Sequence, residues 1–319
     1  MTGRLENIPR VALAALPTPL QPALRLSEAV GLEVWFKRDD LTGLGLGGNK
    51  VRGLEFLIAD ACGRGCDVLV TGGAPQSNWA MLAALAARRC GMDAVLVSYG
   101  DPVPVLGNQS LAELVGAELR FTGDSDRASV DREVERVAVE LSAAGRTPYA
   151  VGRGGATGLG ALGYVAAGLE LAEQLRFSGL RPAQLWLATG SCGTQAGLVT
   201  AQAWLQPGHQ VVGVTVSRPA PECRDRVVRI SHQASDLIGT PRTDREPTVV
   251  EGFLGPAKGA RSAAGDEAAT LVARTEGVFL DPVFAAKAMA GLLSAAQTGA
   301  ARGPVVFLVS GGAPTLFTG

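Results

Sequence analysis

Histidine is nearly missing from this chain: His209 and His232 are the only two in 319 residues. That leaves little room for a histidine-based metal centre, and no metal ligand is expected. Cysteine is scarce and unpatterned. Cys62, Cys66, Cys90, Cys192 and Cys223 make an odd number and form no C-x-x-C, so neither a disulfide framework nor a zinc site is indicated. An excess of one charge sign is also lacking. The formal net charge is −1, and the densest basic cluster, RDRVVR from Arg224 to Arg229, has an acid within it. A nucleic-acid binder would show a basic stripe or patch. No apolar run is long enough to span a bilayer. The N-terminal stretch, broken by Pro17 and Pro19, does not read as a signal peptide. The expectation is a cytoplasmic, soluble protein with no nucleic-acid or membrane partner.

What is present is a large apolar share, 47% hydrophobic against 18% charged, enough for a substantial core. Strand-like runs are expected at 34–38, 67–73, 93–100, 117–123, 147–155, 183–190, 210–218, 276–282 and 304–312. Ala- and Leu-rich helical patterns lie between them, at 78–90, 131–145, 163–175 and 266–277. Short Val/Leu strands alternating with helices predict an α/β fold with parallel sheets covered on both faces. Most strands end in Gly or Ser, and in open α/β sheets ligands sit beyond the carboxyl ends of the strands. The polar stretches at 123–133 and 240–247 are the loop candidates. There is no low-complexity linker and no internal repeat.

Three short stretches carry chemistry. GLGLGGNKVRGLEF, Gly43 to Phe56, places Lys50 between a glycine run and a helix-like segment. Such a lysine is a solvated helix start, a phosphate ligand, or a nucleophilic amine that forms a Schiff base. ATGSCGTQAGL, 188–198, reads strand, small-residue turn, helix. It is either an ordinary glycine-rich connection or an anion cradle of backbone N–H groups at a helix start. It lacks the Gly-Lys-Ser/Thr ending of a nucleoside-triphosphate loop and the spacing of a dinucleotide fingerprint. In TGGAPQSNWA, 71–80, Ser77 or Asn78 caps a helix or also faces a ligand. An aldehyde cofactor with a phosphate, held by a lysine imine, accounts for all three. That cofactor is pyridoxal 5'-phosphate.

The same residues resemble the D-cysteine desulfhydrase and 1-aminocyclopropane-1-carboxylate deaminase family, within the tryptophan-synthase-β-like (fold type II) class of pyridoxal-phosphate enzymes. The matching pieces are LPTPL (16–20), FKRDDLTGLGLGGNKVRGLEFLIADA (36–61), QSN (76–78), TGSCGTQAGL (189–198), LDPVFAAKAMAGL (280–292) and SGGAPTLF (310–317). They span nearly the whole chain in family order. The resemblance implies two domains with open, mostly parallel twisted sheets: a larger cofactor-binding part, 1–50 with 158–319, and a smaller inserted part, 51–157. The active site would lie in the cleft between them. It implies that Lys50 forms the imine, beside Asn49. Ser77 and Asn78 would grip the substrate carboxylate and the cofactor's phenolic oxygen. Gly190, Ser191, Cys192, Gly193 and Thr194 would cradle the phosphate, and Ser310 would face the ring nitrogen. It also implies a homodimer.

The chain departs from the family at several positions. Phe284 stands where the family has a tyrosine after Asp-Pro-Val, and a phenyl ring transfers no proton. Lys258 stands where the family has a second pocket tyrosine, aligned through Pro256 and Gly259. Trp79 and Met81 replace polar residues after Gln-Ser-Asn, Gly53 replaces a lysine, and Cys192 replaces a glycine. The cyclopropane-opening members carry a glutamate and a leucine where this chain has Ala285 and Ser310, which disfavours ring opening. These departures read as drift or as a pocket reshaped for another substrate. In the second reading Trp79 adds bulk or a stacking face, Phe284 packs against substrate, and Lys258 pairs a distal carboxylate, sulfonate or phosphate. The expected activity is a lyase that eliminates a β-substituent from a small amino acid. In that scheme Lys50, or Ser77 as a relay, removes the α-proton. A β-replacement synthase is the alternative, and a non-catalytic cofactor-binding protein is a third possibility.

Overall fold

In a computed structural model the protein is described over residues 4–256 and 259–317. Ten strands form two sheets: β1 (Leu20–Pro22), β2 (Val34–Arg38), β3 (Val68–Gly73), β4 (Asp93–Ser98), β5 (Glu118–Phe121), β6 (Pro148–Ala150), β7 (Gln184–Thr189), β8 (Gln210–Thr215), β9 (Thr248–Val250) and β10 (Val305–Val309). The larger sheet has the order β1-β2-β10-β7-β8-β9 and the smaller β5-β4-β3-β6. Every pairing is parallel except β1 against β2. The strands of the smaller sheet all lie between residues 68 and 150. The helices are α1 (Leu24–Val30), α2 (Lys50–Gly63), α3 (Asn78–Arg89), α4 (Asn108–Leu114), α5 (Ser129–Ala143), α6 (Gly158–Ser178), α7 (Gly193–Leu205), α8 (Ala220–Ile238), α9 (Ala263–Glu276) and α10 (Ala285–Gln297).

The central strands are apolar on both faces because helices cover both. β3 and β10 are buried at every residue. The expected strand at 276–282 does not form. Gly277 ends α9 in a left-handed turn, and the segment then packs Val278 and Leu280 among α9, α10 and the larger sheet without pairing to a strand. An apolar run supplies burial, but a strand also needs a free sheet edge beside it. β1 and β9, at three residues each, were not anticipated. The expected strand at 147–155 is cut to β6 and followed by a tight turn at Arg153–Gly155. α5 begins inside the stretch read as a loop at 123–133.

Two features fix the position of α2, whose first residue is Lys50. One is a buried polar network. The Arg52 guanidinium donates to Asp39 (Nε to Oδ2, 2.8 Å) and to Glu170 (Nη1 to Oε2, 2.9 Å). The Tyr164 hydroxyl and the Thr18 hydroxyl also donate to Asp39, and Lys37 pairs with Glu170. Arg52 and Asp39 are essentially inaccessible. The Lys-Arg-Asp-Asp motif of 37–40 thus places Lys37 and Asp39 in this anchor. The other feature is a close crossing of α2 with α6. A Cβ on Gly53 would lie 2.7 Å from the Gly160 carbonyl oxygen. That contact gives a packing reason for glycine, rather than lysine, at position 53.

Candidate active site

A cavity of about 400 Å³ opens between the carboxyl ends of the two sheets, and Asn49, Lys50, Ser77, Asn78, Ser191 and Ser310 are among its lining residues. A more open depression of about 470 Å³ runs along α6 beside Leu20 and Glu173, and holds none of these side chains.

Lys50 enters from a glycine turn. Gly47 has φ +72, and a Cβ there would lie 2.0 Å from the Asp40 carbonyl oxygen, so only glycine closes the turn. The Asn49 N–H donates to the Ser310 carbonyl at 2.9 Å, joining the turn to the end of β10. The Asn49 amide donates to Thr194 Oγ1 at 3.0 Å. The Lys50 Nζ lies 3.1 Å from Ser191 Oγ. Burial pushes the Lys50 amine down to about 8, against a small opposing effect of Cys192. An amine that is partly neutral near pH 8 has a free electron pair with which to attack a carbonyl.

The turn from β7 to α7 faces that amine. Cys192 takes a left-handed conformation (φ 76) and caps α7 at its N-terminus. None of the N–H groups from Ser191 to Thr194 donates to a protein acceptor among the described residues. The first turn of a helix leaves such donors pointing outward with partial positive charge. Gly190 keeps the turn open: a Cβ there would touch the Phe284 ring at 3.4 Å. A phosphate monoester fits this set of small residues and free donors, and an aldehyde fits the amine beside it. Pyridoxal phosphate carries both.

The opposite wall is the segment after β3. Ser77 caps α3, its Oγ accepting from the Ala80 N–H at 3.2 Å, which leaves its hydroxyl proton free. The Asn78 Oδ1 accepts from the Asn108 amide at 2.7 Å, so its own NH2 is turned the other way, against Gly312. Asn108 also donates to the Gln76 carbonyl at 3.1 Å, and Gln76 donates to the Leu106 carbonyl at 2.9 Å. This brace was not anticipated; nothing local in the sequence links residue 108 to the Gln-Ser-Asn stretch.

Three expected substrate contacts resolve differently. Trp79 borders the cavity but is turned inward: its indole N–H donates to Thr71 Oγ1 at 2.8 Å and its ring lies over Gly155, leaving it 4% exposed. It offers no free stacking face, because the helix turns it toward the core of the smaller sheet. Phe284 does line the cavity, and its N–H is held by Asp281 Oδ1 at 2.7 Å. Burial raises the Asp281 carboxyl to about 6 although three backbone N–H groups bind it. Lys258 lies outside the described residues; its neighbours Gly259 and Ala260 line the cavity.

An inward lysine, a ring of free N–H donors and a Ser-Asn loop, set between two parallel sheets, define an α/β protein built for a phosphorylated aldehyde. The chain belongs to the family of pyridoxal-phosphate dependent enzymes, whose family model matches residues 11–311. It is 38% identical over 323 residues to a D-cysteine desulfhydrase of Yersinia enterocolitica, covering 98% of this chain and 97% of that one. It is 39% identical over 317 residues to a Pyrococcus abyssi protein provisionally named 1-aminocyclopropane-1-carboxylate deaminase, covering 98% and 94%. Among solved structures, a homologue of 1-aminocyclopropane-1-carboxylate deaminase superposes with a TM-score of 0.93 at 36% identity, over 99% of this chain and 95% of that one. The architecture is that of the fold type II pyridoxal-phosphate enzymes.

Proposed function

We propose that the protein is a pyridoxal-phosphate-dependent lyase that removes a β-substituent and the amino group from a small amino acid. The observation that carries this is the meeting of the Lys50 amine, the free N–H groups at the start of α7 and the Ser77–Asn78 segment in one cavity. Desulfhydration and deamination in the relatives' names support it. In balance, amino acid and water give keto acid, ammonium and the protonated leaving group.

The cofactor, when bound, draws the electron pair left on the α-carbon into its ring. The chain's own groups hold and move the rest. Gly190, Ser191, Cys192, Gly193 and Thr194 would hold the phosphate, chiefly through backbone N–H groups. Lys50 would hold the aldehyde carbon, and its amine, freed by the substrate, would take the α-proton. Its lowered proton affinity keeps it partly neutral at working pH. Ser77 and Asn78 would donate to the substrate carboxylate and fix the α-carbon near Lys50. Ser310 would face the ring nitrogen as a weak, neutral partner. Asn49 steadies Thr194, and Phe284 would shape the pocket by packing. We place residues 1–50 and 158–319 in a larger part and 51–157 in a smaller one, with the site between, and extend the proposal to a cytoplasmic homodimer.

The test is a panel of D- and L-amino acids with β-leaving groups, assayed for keto acid and ammonia, followed by borohydride trapping of the cofactor and peptide mapping. Keto acid formation and a label on Lys50 are the expected results. 1-Aminocyclopropane-1-carboxylate should be a poor substrate, since Ala285 and Ser310 supply no acid at the ring nitrogen. A label on another lysine overturns the site, and a new amino acid formed from an added nucleophile replaces elimination with β-replacement.

A further inference from the structure

The cavity has a lopsided charge. Among the described residues its lining carries Lys50, Arg127, Arg153, Arg218 and Arg261, and no aspartate or glutamate. Three of the arginines answer to acids outside the lining. Arg153 donates to Asp131 at 2.7 Å, Arg261 to Asp266 at 3.0 Å, and Arg218 pairs with Glu222. Arg127 is half-buried and makes no hydrogen bond or ion pair with the described residues.

Arg127, Arg153 and Arg218 come from three separate places: the turn after β5, the turn after β6 and the end of β8. They are near enough to repel one another. Burial first, then Arg218 and Arg153, lower the hold of Arg127 on its proton. Arg218 is also tied to the anion turn, its Nε donating to the Gly190 carbonyl at 3.2 Å. Bringing three guanidinium groups together, one of them unpaired, costs free energy unless an anion joins them. On the reading proposed above, the cofactor phosphate is met by the start of α7 and the substrate carboxylate by Ser77 and Asn78. Neither accounts for Arg127.

We infer that Arg127, flanked by Arg153 and Arg218, receives an oxyanion at the far end of the substrate side chain. The substrate class is then a β-substituted amino acid whose substituent is a sulfonate, a phosphate or a carboxylate. This inference rests on the lyase reading for its substrate, but not for its binding site. A planar guanidinium binds such a group through two parallel N–H bonds, and a cluster of three can surround a tetrahedral one.

Binding is tested without turnover. Isothermal titration of the cofactor-loaded protein compares 3-sulfopropionate with its uncharged-tail isostere 4,4-dimethylpentanoate. The dianion should bind about tenfold to a hundredfold more tightly, the range of one charge-assisted contact. Arg127→Gln should reduce that ratio about tenfold or more, and Arg127→Lys should keep part of it. Cofactor absorbance and thermal midpoint check that each variant is folded. In parallel, kcat/KM for O-phosphoserine and S-sulfocysteine should exceed that for O-acetylserine and S-methylcysteine by a factor that falls in Arg127→Gln. Equal binding of the two probes by the unaltered protein overturns the inference, whatever the variants do. So does loss of the preference in Lys258→Met with its survival in Arg127→Gln. A weaker uptake of pyridoxal phosphate in Arg127→Gln, with the probe ratio unchanged, would assign the arginine to the cofactor instead. If the ratio depends on Arg127 but no amino acid yields keto acid, the anion site stands and the lyase reading falls.

Discussion

Lys50 shows how one residue's surroundings set its chemistry. An ordinary lysine loses its proton near 10.5, and burial brings this one down to about 8. At pH 8 it therefore holds about a hundredfold more neutral amine than an exposed lysine, since each unit is a factor of ten. Capture of added pyridoxal by the cofactor-stripped protein should speed up about tenfold per pH unit from pH 6, then level off near pH 8. A rate that keeps climbing toward pH 10 would mean an unshifted amine. The linkage has a definite sign. Below about 8 the charged amine is disfavoured in the fold, and above 10.5 both folded and unfolded forms are neutral. The stability cost is thus fully present below pH 8 and is relieved as pH rises from 8 to 10.5.

At the scale of elements, α2 carries Lys50 on a buried ionic anchor and a close crossing with α6. A glycine in mid-helix is usually improved by alanine, by about 0.5–1 kcal/mol. At Gly53 the sign should reverse, because the added methyl would meet the Gly160 carbonyl at 2.7 Å. Gly53→Ala should lower stability by about 1–3 kcal/mol in urea unfolding, the range of an overpacked core; a stabilised variant would show that the helices are free to part. Arg52→Met tests the anchor. It leaves Asp39 buried without its cation, and loss of one partner of a buried pair costs about 3–5 kcal/mol. Much of this level was legible in the sequence. The Gly-Gly-Asn-Lys turn, the strand–turn–helix at 188–198 and the Ser77 cap are local patterns, and local patterns survive without knowledge of the fold. Neighbours on a helix point in different directions, so a position beside Ser77 and Asn78 does not fix which way the Trp79 ring faces: its indole N–H goes to Thr71 while the residue still borders the cavity. Asn108, and the arginines at 127, 153 and 218, carry no local signal in the sequence. They meet only after the chain has passed through several strands, and no motif joins them. The run at 276–282 was apolar enough for a strand, but had no sheet edge to pair with.

At the scale of the whole molecule, the cavity is built from both sheets, and each wall contributes groups that are unsatisfied alone. Asn49 and Lys50 stand on one element, the free N–H groups of Ser191 to Thr194 on a second, and Ser77 and Asn78 on a third. A ligand that binds only the folded form stabilises it by mass action, about 2.7 kcal/mol at a hundred times its dissociation constant. For a chain of this size that is roughly a 5 °C rise in thermal midpoint. Pyridoxal phosphate should produce such a rise in the cofactor-stripped protein. Pyridoxal, which has the aldehyde but no phosphate, should produce much less, because the N–H groups at the start of α7 would remain unanswered. Inorganic phosphate added with pyridoxal should recover part of the difference, since the cradle and the amine are then filled by two separate molecules. The three midpoints together separate the two halves of the site. If pyridoxal alone matches pyridoxal phosphate, the turn at 190–194 is an ordinary connection between β7 and α7, and the phosphate is held elsewhere.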